Sequence, residues 1–93
     1  MEQMDIDKMA KIDLNYNDPD LPAPVRQFKP VLFKEGDSFC MLLGPDPQEG
    51  IFGCGNTAND AIQDWEHHFN DEIENPTEGN ETTRFILDSL NTF

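Results

Sequence analysis

Residues 51–73 read Ile51-Phe52-Gly53-Cys54-Gly55-Asn56-Thr57-Ala58-Asn59-Asp60-Ala61-Ile62-Gln63-Asp64-Trp65-Glu66-His67-His68-Phe69-Asn70-Asp71-Glu72-Ile73, and within them the chain changes from a strand to a helix. Ile51 to Gly55 reads as a short strand in which Gly53 and Gly55 share one face. With no side chain at either position, another backbone or a helix can approach closely. This is not the Gly-x-Gly-x-x-Gly order of a phosphate-binding turn and no basic residue stands beside it, so packing is the preferred reading. Thr57 followed by Asp60 approximates a capping box, with the shorter aspartate in the usual Glu/Gln place. Ala58, Ala61, Ile62, Trp65, Phe69 and Ile73 then fall at the i, i+3, i+4 spacing of one apolar stripe. Asn75-Pro76 ends the helix.

Working outward, Gln27 to Phe33 is a β-favouring run whose Pro30 cannot donate to a ladder, which suggests an edge strand or a strand start. Glu35-Gly36-Asp37-Ser38 has the length and chemistry of a hairpin turn. Phe39-Cys40-Met41-Leu42-Leu43 is continuously apolar, as expected of a strand buried on both faces, and should pair antiparallel with the first. Gly44 to Gly50 is a loop with two prolines. Beyond the main helix, Glu78 to Asn80 links to Thr82–Phe93, which suits a short amphipathic helix. Before residue 27, Asn15-Tyr16-Asn17-Asp18-Pro19-Asp20 with Pro22 and Pro24 reads as breaker-rich linker. Met4, Ile6, Met9, Ile12 and Leu14 form either one short docking element or a frayed terminus. The expected fold is therefore α+β: a small antiparallel sheet of about three strands, one main helix packed on it and a short C-terminal helix. Residues 1–26 are expected to be a flexible or partly ordered leader and linker, and 27–93 a single domain. Phe28, Val31 and Phe33 are candidates for an edge available for pairing.

The 93 residues carry 6 Lys+Arg against 19 Asp+Glu, a formal charge of −13. A chain of this size is one domain and buries too little for a large enzyme with a deep cleft, which leaves room for a homodimer or tetramer. Phosphate binding needs clustered cations, so direct nucleic-acid binding is not expected. Nor is membrane association: no apolar stretch approaches the roughly 20 residues of a spanning helix, and the acidic start lacks a signal-peptide core. The composition points to the cytoplasm. There, Cys40 and Cys54, which match no zinc spacing, are expected as reduced structural thiols.

From Glu35 to Thr83 there are twelve acidic residues and no Lys or Arg. At 100° per residue Asp60, Asp64, His67 and Asp71 gather on the helix side opposite the apolar stripe. Such a stripe is commonly just a solvated face. An ordinary surface helix mixes signs, however, to gain pairs four residues apart, and this one bears like charges instead, which sets a face made for a basic partner level with a merely solvated one. His67-His68 beside Asp64, Asp71 and Glu72 invites a metal reading. Adjacent histidines diverge on a helix and a closed site needs about four ligands, so neither metal nor cofactor is expected. No nucleophile motif stands out, and Cys40 reads as a small core hydrophobe. Trp65 reads as a core anchor.

The segment from Phe28 to about Ile73 resembles the HicB-like antitoxin domain, a partial RNase H-like fold. The resemblance rests on Phe28-Lys29-Pro30-Val31-Leu32-Phe33, the turn Gly36-Asp37, Phe39-Cys40-Met41-Leu42-Leu43, the loop Pro45-Asp46-Pro47 to Gly50, and Gly53-Cys54-Gly55-Asn56-Thr57 leading into Asp60-Ala61. In that family the last stretch commonly has Glu where this chain has Asp60. The resemblance implies a non-enzymatic antitoxin that binds and neutralises a small basic, HicA-like RNA-cleaving toxin. Thr82 to Phe93 is too short and acidic for the DNA-binding segment often found after such domains, so a stand-alone version is expected. Asp60, Asp64 and Asp71 are the expected partner-binding residues. Two other classes stay open: a nucleic-acid mimic that inhibits a nuclease or defence enzyme, and a metal-dependent hydrolase built on Asp64 and His68.

Overall fold

The computed structural model of the chain describes Ile6 and residues 10–90. Along the sequence run β1 (Lys11–Ile12), α1 (Ala23–Phe28), β2 (Val31–Glu35), β3 (Ser38–Leu43), β4 (Ile51–Gly55), α2 (Ala58–Glu74) and α3 (Glu81–Leu90). The four strands form one antiparallel sheet in the order β1-β2-β3-β4. The class is α+β as expected, with one strand more than the sequence suggested. Strand β3 lies inside the sheet, and Cys40, Met41, Leu42 and Leu43 are all buried, which accounts for its unbroken apolar run.

Helix α2 lies on one face of the sheet and is held by shape. A Cβ added at Gly53 would stand 2.6 Å from the Trp65 Cα and 2.8 Å from the Asp64 carbonyl carbon, so helix backbone rests directly on strand backbone. At Gly55 the same atom would come within 2.9 Å of the Asp60 carbonyl carbon. Trp65 is fully buried, stacks on Phe69 at 5.2 Å between ring centroids, and donates from Nε1 to the Ile51 carbonyl at 3.0 Å. Leu32, Met41, Leu43 and Ile51 from the sheet close the core with Ala61, Ile62, Trp65 and Phe69 from α2, and α3 adds Ile86.

The leader contributes more than its composition suggests. Residues 11–12 pair with β2 through Lys11↔Phe33 and Ile12↔Leu32. Pro22 and Pro24 frame the start of α1, where proline's fixed φ and missing N–H suit a first turn. Val25 is wholly buried, and Ile12, Leu14, Tyr16 and Leu21 pack against the core, so no boundary falls at residue 26. This corrects the edge expected at Phe28, Val31 and Phe33. Phe28 ends α1 with its ring against Phe69 and Phe85, and Val31 and Phe33 belong to β2, which is paired on both sides. Pro30 immediately precedes β2 as a strand start. Expectations for Met4, Met9 and Phe93 lie outside the described residues.

On the other face Phe33, Cys40 and Leu42 form a second buried cluster with Ile6, Val31, Phe52 and Cys54. Here Cys40 and Cys54 are joined as a disulfide, which replaces the expected pair of free thiols. Their separation of 14 residues carries no signal by itself, but the β3–β4 register sets them opposite each other with Cα atoms 4.1 Å apart, the narrow type of antiparallel pair.

Gly53→Ala should cost about 3 kcal/mol through overpacking, read as a lower urea midpoint at unchanged slope. Reducing the bridge should cost up to about 3 kcal/mol, the loop-closure term for a ring of this size, and urea unfolding with and without a thiol reductant measures it.

Candidate acidic cleft

Helix α2 starts at Thr57, whose Oγ1 accepts from the Asp60 amide at 3.1 Å. Asp60 therefore sits in the first turn, where a negative charge complements the exposed N–H groups. It is exposed, and its backbone and Cβ lie above Gly55. Asp64 has a different task from the solvated one expected. Its Oδ2 accepts from the Cys54 amide at 2.9 Å and lies 3.5 Å from His68 Nε2. In a narrow antiparallel pair the amides point away from the neighbouring strand, so Asp64 satisfies a donor on the outer side of β4. Asp71 is exposed, with Oδ2 3.4 Å from His67 Nε2. The three expected residues thus share a helix without forming one uniform surface: the Asp60 amide bonds the cap, the Asp64 carboxylate bonds the strand, and the Asp71 carboxylate is exposed beside His67. The side is also interleaved by two imidazoles, which add ionic attraction only when protonated.

Towards the end of α2 the helix and the β3–β4 loop enclose an open cleft of about 380 Å³ lined by Pro47, Ile51, Phe52, His68, Asp71 and Glu72, among others. Its lining is mostly polar, with Pro47 and Phe52 beside the carboxylates of Asp71 and Glu72. That combination suits a long basic side chain, whose methylene stem can lie on Phe52 while its head meets carboxylate. From the sequence Glu72 enters only as a neighbour of the histidines in the metal reading, because it falls between the apolar stripe and the opposite face. Its Oε1 accepts from the Thr77 amide at 2.8 Å and from the Thr83 hydroxyl at 2.6 Å, tying the α2–α3 turn to the start of α3. Asn80 adds a cap, accepting from the Thr83 amide at 3.0 Å.

Partial burial pushes the Glu72 carboxyl up, but hydrogen bonds from Thr83 and Thr77 outweigh it and leave the pKa lowered. Asp64 and His68 approach each other, yet among the described residues no group of three or more His, Cys, Asp or Glu is placed to hold a metal ion. No described helix is long and apolar enough to cross a membrane.

Compared with known proteins, the chain matches no family model, no curated protein and no solved structure.

Because the Glu72 pKa is lower when folded, its hydrogen bonds stabilise the fold fully above the usual value of 4.5 and are lost as pH falls through the folded value. Glu72→Gln should flatten this acid limb and cost about 1 kcal/mol at neutral pH, measured as the thermal midpoint between neutral and strongly acidic pH.

Proposed function

We propose that the chain is a non-enzymatic acidic interaction module, HicB antitoxin-like, that binds and neutralises a small basic RNA-cleaving toxin or a related RNA-associated protein. The observation that carries this reading is the cleft between the β3–β4 loop and α2, with Asp71 and Glu72 beside Phe52. It sits within a stretch from Glu35 to Thr83 that holds twelve acidic residues and no Lys or Arg. Complementary charge on a partner would raise the association rate and discriminate against acidic competitors, while contact with Pro47 and Phe52 adds affinity. The succession of hairpin, glycine-bearing strand and capped helix on which the HicB resemblance rests supports the same class.

The proposed compartment is the cytoplasm. Disulfides are rare there, so the Cys40–Cys54 bridge and this placement make opposing demands. Counting free thiols in protein taken from acid-quenched cells decides between them.

Retention of a small basic protein from lysate at about 50 mM salt and its release at about 500 mM is the expected behaviour, because screening shortens the range of surface charge. The retained protein should cleave RNA, and adding the chain should stop it. With that purified partner, Asp71→Lys should slow association by about tenfold at low salt, whereas Asp37→Lys, on the β2–β3 turn, should leave the rate nearly unchanged. A large nuclease retained in its place, with duplex DNA competing for it, would turn the reading to nucleic-acid mimicry. Equal rates for Asp71→Lys and the unmodified chain would remove this cleft from the interface.

A further inference from the structure

Five of the six Lys and Arg residues precede Glu35, and two of them face one groove. Lys11 on β1 and Lys29 just before β2 line an open groove of about 440 Å³ with Leu14, Tyr16 and Val31. Neither lysine belongs to the ion pairs His67–Asp71 and His68–Asp64. In a chain with 19 acidic residues, both ammonium groups of this groove are therefore left without a carboxylate among the described residues. Asp13 lines the same groove and pairs with neither.

Lys29 carries a second mark. Its φ of 53° and ψ of 53° put it in the left-handed region, and it is the only non-glycine residue with positive φ among those described. The position closes α1, its amide donating to the Val25 carbonyl at 2.9 Å, and glycine is the usual occupant of such a turn. Pro30 follows, which further disfavours any helical conformation for the residue before it. A lysine held against both preferences places its ammonium at this groove at a backbone cost, and such costs concentrate at functional positions.

The groove also borders the β1 edge of the sheet. At the far edge, β4 has its outward Cys54 amide taken by Asp64. At the near edge, β1 pairs only with β2, and no other described strand lies beyond it. An extended segment added to β1 would alternate its side chains across the groove. One set would reach the two ammonium groups, and Leu14 and Val31, which also line the groove, would contact neighbouring side chains.

We propose that β1 and this groove form a docking site for an extended acidic peptide segment of a partner protein, paired on the β1 edge with carboxylates held by Lys11 and Lys29. The site is separate in place and opposite in sign from the acidic cleft, so the two stand or fall independently.

The test uses the full chain and a fluorescein-labelled octapeptide of alternating Glu and Val, with alternating Lys and Val as the control. Saturable binding of the Glu peptide with a dissociation constant below about 1 mM in about 50 mM salt is expected. Amide shifts in ¹⁵N-correlated spectra should be confined to residues 10–16 and 28–34. Lys11→Glu combined with Lys29→Glu should weaken binding by about tenfold or more; both residues are exposed, so the fold should persist by circular dichroism. Lys29→Gly should raise the thermal midpoint and still weaken binding, which separates the role of the ammonium from that of the backbone. No saturable binding, equal binding of the Lys peptide, unchanged affinity in the double variant, or shifts centred on α2 would overturn the proposal.

Discussion

The contact between Gly53 and the backbone at Trp65 is the constraint on which the rest of the structure depends. Any side chain at residue 53 would occupy the space of the Trp65 Cα, 2.6 Å from where a Cβ would stand. With that space free, α2 settles against β4 and several other interactions become geometrically available together. Trp65 goes fully inside and reaches the Ile51 carbonyl, and Asp64 reaches the Cys54 amide. Both are cases of a helix side chain satisfying a strand group, the accounting that every buried or half-buried backbone polar atom imposes. The same seating directs the last turns of α2 towards the β3–β4 loop, which creates the cleft beside Phe52.

A chain with a formal charge of −13 repels itself, and the structure shows how part of that charge is put to local use. Asp60 lies in the first turn of α2, where the helix end is positive. Asp64 and Glu72 each accept hydrogen bonds from groups that would otherwise lack partners, and Asp46 accepts from the Gln48 and Glu49 amides in the β3–β4 loop at 2.8 Å each. Hydrogen bonds to an ionised acceptor are the stronger kind. Carboxylates that remain exposed, such as Asp71, do not have this structural explanation. Under the proposed function they are the part of the acidity available to a partner, and for that reason Asp71 carries the functional test while Asp64 does not.

The two sheet edges differ in the same spirit. The β4 edge is occupied by a carboxylate from the covering helix, while β1 is two residues long and borders a groove whose two lysines pair with no carboxylate among the described residues. Short strands and local charge are common ways of protecting an edge from indiscriminate pairing. Lysine at such an edge excludes basic and neutral strands more than acidic ones, so protection and selectivity can come from the same residues.

Sequence by itself determined the elements whose signal is local. Helix α2 was legible from its apolar stripe, Thr57 cap and Asn75-Pro76 stop; β3 from its unbroken apolar run; the β2–β3 hairpin from Gly36-Asp37; and the close approach of a helix from the paired glycines. Only the tertiary structure decided the rest, because those features depend on residues that meet across long separations. Two residues, Lys11 and Ile12, show no period that could announce a strand, and β2 supplies the hydrogen-bonding partner that makes them one. Pro22 and Pro24 disfavour a helix interior but suit its first turn, and the difference lies in whether Val25 finds a core to enter. Cys40 and Cys54 face each other only once the β3–β4 register is set. Asp64 likewise looks solvated by helical phase, and it is the placement of β4 beneath α2 that turns its carboxylate towards a strand amide.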